Sequence, residues 1–327
     1  MLCRALVPAL ALTLAAAAAA RADVIERSFE VAPGGTLTLT TDRGDVTVTA
    51  VDGTTVRVRV ERLARAGSSV EDHQVAFEPS GSDLTVRGET ARGGLWGWRS
   101  VRLGVRYAVE VPRRYHLELD TAGGDVSVGP VEGELRAETS GGDVTLGEIA
   151  GPVWAHSSGG DVRLEGATEH ARLETSGGDV EIGAVEGPVE ARTSGGDIRI
   201  ERARGDVDAE TSGGDIEIEE LFGAIQAHTS GGDVVARLAV QPQSNCRLST
   251  SGGDVVVQLA DSIAVEIDAS SSGGSVSVEM PVTVSGTLSR GRLEATLGSG
   301  GPLLHLRTSG GDIEIRKLAP TNSQDAS

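Results

Sequence analysis

The chain reads as an all-β protein, a parallel β-solenoid (β-helix) built from 18-residue coils. Three observations predict this. First, the phrase Thr-Ser-Gly-Gly-Asp-Val-x-Ile recurs, with its aspartate at Asp125, Asp143, Asp161, Asp179, Asp197, Asp215 and Asp233, a constant step along the chain (143 − 125 = 18, and so on to 233 − 215 = 18). Fixed periods of roughly 20 residues mark stacked-repeat folds. Second, each unit holds two short segments of period-2 alternation, such as Val144/Leu146 followed by Val153/Ala155 and Ile198/Ile200 followed by Val207/Ala209. Apolar residues at i and i+2 belong to half-buried strands, which become stable when each stacks about 4.8 Å from its copy in the next coil. Third, the Gly-Gly pairs exclude helix, because each interior glycine costs a helix roughly 1 kcal/mol.

Eighteen residues at roughly 3.3 Å each give a perimeter of at most about 60 Å, so the interior holds one layer of Val, Ile, Leu and Ala. The coil fits three hexads, as in left-handed β-helices, but lacks the Leu/Ile/Val-Gly hexad start of the hexapeptide acyltransferases. The period is compatible with a triangular or a flattened cross-section.

In chain order, residues 1–22 read as a signal peptide: Arg4, the apolar run Ala5 to Ala20, then Ala20-Arg21-Ala22 as a small-x-small cleavage site before Asp23. Cys3 precedes the apolar run, which argues against a lipoprotein anchor. No later stretch is long and apolar enough for a transmembrane segment after signal cleavage. The mature chain is therefore expected to be exported, in the periplasm or at the cell surface. Its formal charge falls from −19 to −21 when Arg4 and Arg21 are removed (−19 − 2 = −21). Such a balance disfavours nucleic acid and anionic lipid as partners.

Residues 23–116 form a less regular N-terminal β region, with strand candidates at 36–40, 46–50, 56–60, 75–77, 84–87 and 107–111. Leu37-Thr-Leu-Thr-Thr-Asp-Arg-Gly-Asp45-Val-Thr-Val48 repeats the logic of Leu117-Glu-Leu-Asp-Thr-Ala-Gly-Gly-Asp125-Val-Ser-Val128. The region is expected to be a divergent copy that caps the solenoid and closes an otherwise bare sheet edge. Trp96 and Trp98 read as a hydrophobic plug over the first coil. The regular solenoid is expected over 117–316, in chain order. Beyond Asp233 the rhythm loosens: the next steps lead to Asp254 (254 − 233 = 21), to Ser275 in the aspartate place (275 − 254 = 21) and to Asp312 (312 − 275 = 37). The piece Met280–Gly301 is expected to be a motif-poor coil or a loop, and 317–327 a disordered polar tail.

The corner motif carries the strongest signal. Its glycines, including Gly141, Gly142, Gly177, Gly178, Gly195, Gly196, Gly213 and Gly214, permit positive φ and close coil stacking. Stacked carboxylates about 4.8 Å apart repel by about 0.9 kcal/mol per neighbour in water. The aspartate column Asp125 to Asp233 must then be satisfied by turn backbone, by protonation or by cations. Turn backbone is the preferred reading, because the third glycine of the calcium-binding Gly-Gly-x-Gly-x-Asp roll is missing. No metal or cofactor site is assigned. A hydroxyl face of the ice-binding kind is disfavoured, since Thr and Ser run straight into a turn.

Catalytic residues are not apparent. His156 and His228 share a coil position but lie four coils apart (228 − 156 = 72), which is about 19 Å. His73 and His116 have no adjacent Ser or Cys in a nucleophile motif. Cys246, the one cysteine left after cleavage, falls on an inward slot once the three-residue insertion (21 − 18 = 3) is counted. It reads as a buried structural thiol.

Tyr107-Ala-Val-Glu-Val-Pro112, then Leu117-x-Leu119 and Gly124-Asp-Val126, resembles a bacterial family of unknown function labelled as candidate adhesins, exported β-solenoids of G-D-V-x-V units. The resemblance covers roughly residues 30–316 and implies no catalytic residues. The functional expectation is a non-enzymatic, adhesin-like or structural surface that binds a protein or glycan at the cell envelope. The alternatives are a β-helix enzyme acting on polysaccharide and an extracytoplasmic scaffold for a membrane sensing system.

Overall fold

The computed structural model describes residues 21–64, 68–91 and 103–318. It consists of two 15-stranded sheets packed face to face, and a single 3-10 turn, Val70–Asp72, is the only helical element among the described residues. Each repeat gives one strand to a front sheet, directly after its aspartate, and one to a back sheet, directly before its Thr-Ser-Gly-Gly. The cross-section is thus flattened rather than triangular. Neighbouring strands are parallel and offset by one repeat: Val144 lies opposite Val162, Val162 opposite Val180, and Val180 opposite Ile198. In the back sheet Val153 lies opposite Ala171, which lies opposite Val189.

These registers produce columns of like side chains. Val126, Val144, Val162, Val180, Ile198, Ile216 and Val234 form one fully buried column, and Val128, Leu146, Leu164, Ile182, Ile200, Ile218 and Ala236 the next. The facing back-sheet columns are rich in alanine (Ala137, Ala155, Ala191, Ala209, Ala227). Larger front residues face smaller back residues across a single buried layer, a size match that suits close packing in a one-layer core.

Chain order and spatial order part company at both ends. The first coil, residues 36–51, pairs in register with 116–128, Leu37 opposite Leu117 and Val46 opposite Val126. Outside it lies a later coil made of Asp83–Thr90 and Leu103–Pro112. Beyond that coil, Thr55–Ala64 and Arg21–Glu30 extend the front sheet antiparallel, and His73–Ser80 extends the back sheet antiparallel. The C-terminal end mirrors this arrangement. The last coil, Leu303–Thr308 and Ile313–Lys317, slots between the coil of Cys246–Thr250 and Val255–Leu259 and the coil of Val265–Ser271 and Val276–Val278.

Three expectations are corrected here. The coils do not follow one another in chain order to residue 316, because the final strands are inserted one place in. The piece Met280–Gly301 is neither coil nor loop but an antiparallel hairpin, Val282–Ser289 with Arg292–Leu297, added to Val265–Ser271. Its alternating Leu293, Ala295 and Leu297 are buried, while Gly298 and Gly300, at φ +63° and +75°, turn the chain back into the stack. The tail boundary also moves, since Lys317 ends a strand and the Leu318 N–H donates to the Leu259 carbonyl at 2.8 Å. Trp96 and Trp98 lie outside the described residues, as do residues 1–20 of the expected signal peptide. Tyr107 and Tyr115 are buried at the described N-terminal end.

Candidate binding surface

The repeated corner is built from three stacked ladders. The first residue of each Thr-Ser pair points inward and is buried, while its serine neighbour is exposed. Thr139 Oγ1 donates to the Gly124 carbonyl at 2.9 Å, Thr175 to Gly160 at 2.7 Å and Thr229 to Gly214 at 2.8 Å. The same hydroxyl accepts from the second glycine N–H of its own turn, as Gly196 N–H to Thr193 Oγ1 at 3.3 Å. The threonines therefore face the core and cannot form an outer hydroxyl face.

The aspartates form the second ladder. Oδ1 of each accepts from the backbone N–H of the aspartate in the next coil: Asp125 from Asp143 at 3.0 Å, Asp143 from Asp161 at 2.9 Å, Asp161 from Asp179 at 2.9 Å. Asp179, Asp197 and Asp215 accept likewise at 2.8, 2.8 and 2.7 Å. The column extends beyond the repeats, from Asp45 at one end through Asp233, Asp254 and Asp312 to Ser275. At Asp312, the bonds from the Ser275 N–H and hydroxyl hold the carboxyl below its ordinary range. Among the described residues no group of three or more His, Cys, Asp or Glu is disposed to hold a metal ion.

The glycines form the third ladder. None of Gly141, Gly142, Gly177, Gly178, Gly195, Gly196, Gly213 or Gly214 has positive φ. Close approach is what demands the second glycine of each pair: a Cβ on Gly142, Gly178, Gly196 or Gly214 would fall inside 3.0 Å of the preceding coil's glycine carbonyl and aspartate Oδ1. The first glycine is less confined, and a Cβ on Gly141 meets nothing within 4 Å. A second glycine column at the opposite corner (Gly151, Gly187, Gly205, Gly223) stacks just as tightly. Sequence reasoning passed over it because Glu169 interrupts the motif.

The histidines are not brought together. His156 and His228 lie four register steps apart on the outer back face, through Glu174, Arg192 and Glu210. His116 Nδ1 accepts from the Glu134 N–H at 3.0 Å. His73 is wholly buried, with Nε2 2.6 Å from the Tyr107 hydroxyl and Nδ1 3.0 Å from Thr90 Oγ1. Burial lowers the His73 pKa, against the pull of Asp42, and pushes Tyr107 up to about 12. Cys246 is buried on its inward slot, and burial raises its thiol pKa.

The outer faces carry charges that largely satisfy one another between coils. Arg163 pairs with Glu181 and Arg199 with Glu217, each at 2.7 Å, and Arg202 pairs with Glu220 at 2.5 Å. Several open depressions interrupt this polar surface, and one of about 500 Å³ runs along the back sheet past Trp154, Arg172, Glu190 and Gln226 to Asn245. The sequence signal for it was a lone tryptophan on an outward strand position.

An all-β stack of Gly-Gly-Asp coils with a groove on one flat face describes a repeat-built surface. The chain belongs to the Toastrack DUF4097 family, whose model matches residues 34–219 and 203–316. Two solved structures are similar to it. One, of a candidate cell adhesion protein from Clostridium sporogenes, is 11% identical, with 90% of this chain and 100% of that chain covered and a TM-score of 0.21. The other, of a candidate adhesin from Bacteroides fragilis, is 14% identical, with 90% and 97% covered and a TM-score of 0.37. No curated protein matches the sequence.

Proposed function

We propose that the protein is an exported, non-enzymatic, adhesin-like or structural binding surface at the bacterial cell envelope. One observation carries this reading: the corner hydroxyls, the aspartate Oδ1 atoms and many outer charges of the repeat bond within the stack. The corner hydroxyls and the Oδ1 atoms bond the backbone of adjacent coils, and the outer arginines bond neighbouring carboxylates. What remains outward is an extended surface with a groove open to solvent. No helix among the described residues is long and apolar enough to cross a membrane. The export part of the reading rests on Arg4, the apolar run and Ala20-Arg21-Ala22.

The test exposes the mature chain (residues 23–327) to purified envelope polysaccharides and intact cells, scoring both retention and released sugar ends. Saturable retention without cleavage is expected. Polysaccharide cleavage would establish the enzyme alternative, and absence of retention on every surface would overturn the reading.

A further inference from the structure

The groove beside Trp154 is assembled from the fold's regularity and from the first interruption after Asp233. Trp154, Arg172, Glu190, Asp208 and Gln226 are successive register partners on the outer face of the back sheet. Parallel strand spacing near 4.8 Å therefore lays polar side chains out over about 19 Å. The far wall comes from the insertion at 241–245, which breaks the 18-residue rhythm and is fixed rather than loose. Gln241 Oε1 accepts from the Ala264 N–H at 2.8 Å and its Nε2 donates to the Ala264 carbonyl at 2.9 Å. Asn245 Oδ1 accepts from the Leu303 N–H at 2.9 Å.

At the near end the indole of Trp154 is held in place while partly exposed. The Arg136 guanidinium lies 3.5 Å over its ring, and the His156 ring runs nearly parallel at 6.0 Å. Arg136 is not part of the groove lining, whereas Trp154 and Arg172 are, so the indole presents surface on the side away from Arg136. Between the two ends, Asp206 uses Oδ1 on the Ala224 N–H at 2.8 Å, and the Gln226 side chain has no hydrogen-bond partner among the described residues. The lining carries three carboxylates (Glu190, Asp206, Asp208) and Arg172, with Glu190 3.3 Å from Arg172 and Asp208 3.1 Å from Arg192.

The geometry points to a binding site for a neutral, linear oligosaccharide laid along the solenoid axis. An indole beside carboxylate and amide groups suits a polyol, whose C–H face meets the ring while its hydroxyls meet the polar groups. The coil spacing is comparable to one sugar unit of an extended β-linked chain, so successive units meet successive members of the column from Trp154 to Gln226. Arg172 and Arg192 offset two of the three carboxylates, and the one left over disfavours anionic glycans. This assignment rests on the binding-surface reading above and names the ligand class for it.

The test titrates the mature chain with neutral β-linked glucan and chitin oligosaccharides of increasing length, with a uronic-acid oligosaccharide as the anionic comparison. Affinity for the neutral series is expected to rise with length up to about four sugar units, the span of four coil steps, with no uronate binding. Trp154→Ala should weaken binding about tenfold or more, in keeping with a buried aromatic anchor. Trp154→Phe and Gln226→Ala should weaken it less, and all three should melt with the parent. Absence of neutral-oligosaccharide binding by the parent, or equal binding by a folded Trp154→Ala variant, overturns the assignment. If envelope retention persists in that case, only the groove assignment falls; if retention is also absent, the binding-surface reading falls with it.

Discussion

At the scale of single residues, the two glycines of each corner have different jobs. Gly196→Ala would drive its Cβ into the Gly178 carbonyl and Asp179 Oδ1, both backbone-anchored, so neither neighbour yields easily. Its expected destabilisation is on the order of 3 kcal/mol, against no more than about 0.5 kcal/mol for Gly141→Ala. Denaturant unfolding of the two variants checks the contrast, and equal losses would refute it. His73 makes a second prediction. The unfolded chain takes up a proton near pH 6.5, whereas the buried imidazole resists it. Its contribution is complete above that pH and is lost as pH falls from about 6.5 toward the lowered folded value. His73→Gln should flatten this part of the stability profile while leaving the more acidic carboxylate limb in place, which melts from pH 7.5 to 5 would reveal.

At the scale of elements, the repeat strands were legible because period-2 alternation and an 18-residue step leave one register that buries every column. Ile198 sits in such a column between Val180 and Ile216. Ile198→Asp places an unpaired charge in a one-layer core and should lose more than about 3 kcal/mol. A variant melting within a degree or two of the parent would contradict the register. The hairpin Val282–Ser289 and Arg292–Leu297 escaped the sequence because it carries no corner motif, and its antiparallel pairing depends on a distant strand. Of the two reasons the sequence offered for the corner glycines, close coil stacking holds and positive φ does not, because the contact that excludes a Cβ comes from the next coil and the turn itself stays in ordinary backbone space. The aspartate column gives the element-scale test of cations. Since Oδ1 of each carboxylate already bonds a backbone N–H, calcium should shift the melt no more than magnesium at equal ionic strength. A specific site would instead add about 2.7 kcal/mol at a hundredfold excess over Kd.

At the scale of the molecule, the sequence pattern foretold a stack but not its order at the ends. Nothing in the local composition of Leu303–Thr308 distinguishes a terminal coil from one inserted between Cys246–Thr250 and Val265–Ser271, because all three present the same alternation. The same ambiguity hid the outer position of Asp83–Thr90 and Leu103–Pro112. Groove residues were equally hard to foresee, since an outward Trp154 has meaning only beside Arg172 and the 241–245 insertion. Removing residues 302–327 should therefore do more than shorten the stack. It vacates a place between two coils, and hydrogen exchange is expected to rise across 246–297 while residues 130–200 stay protected. Loss of protection confined to the residues next to the cut would contradict this.

That interleaving also sets a timetable. The neighbours of Leu303–Thr308 are made before it, yet their contact surfaces close only around it, so that end of the stack stays unfinished until Leu303–Lys317 has emerged. A chain of this kind cannot lock itself progressively from first residue to last. Its completion behaves like a clasp, fastened once, when those inserted strands arrive.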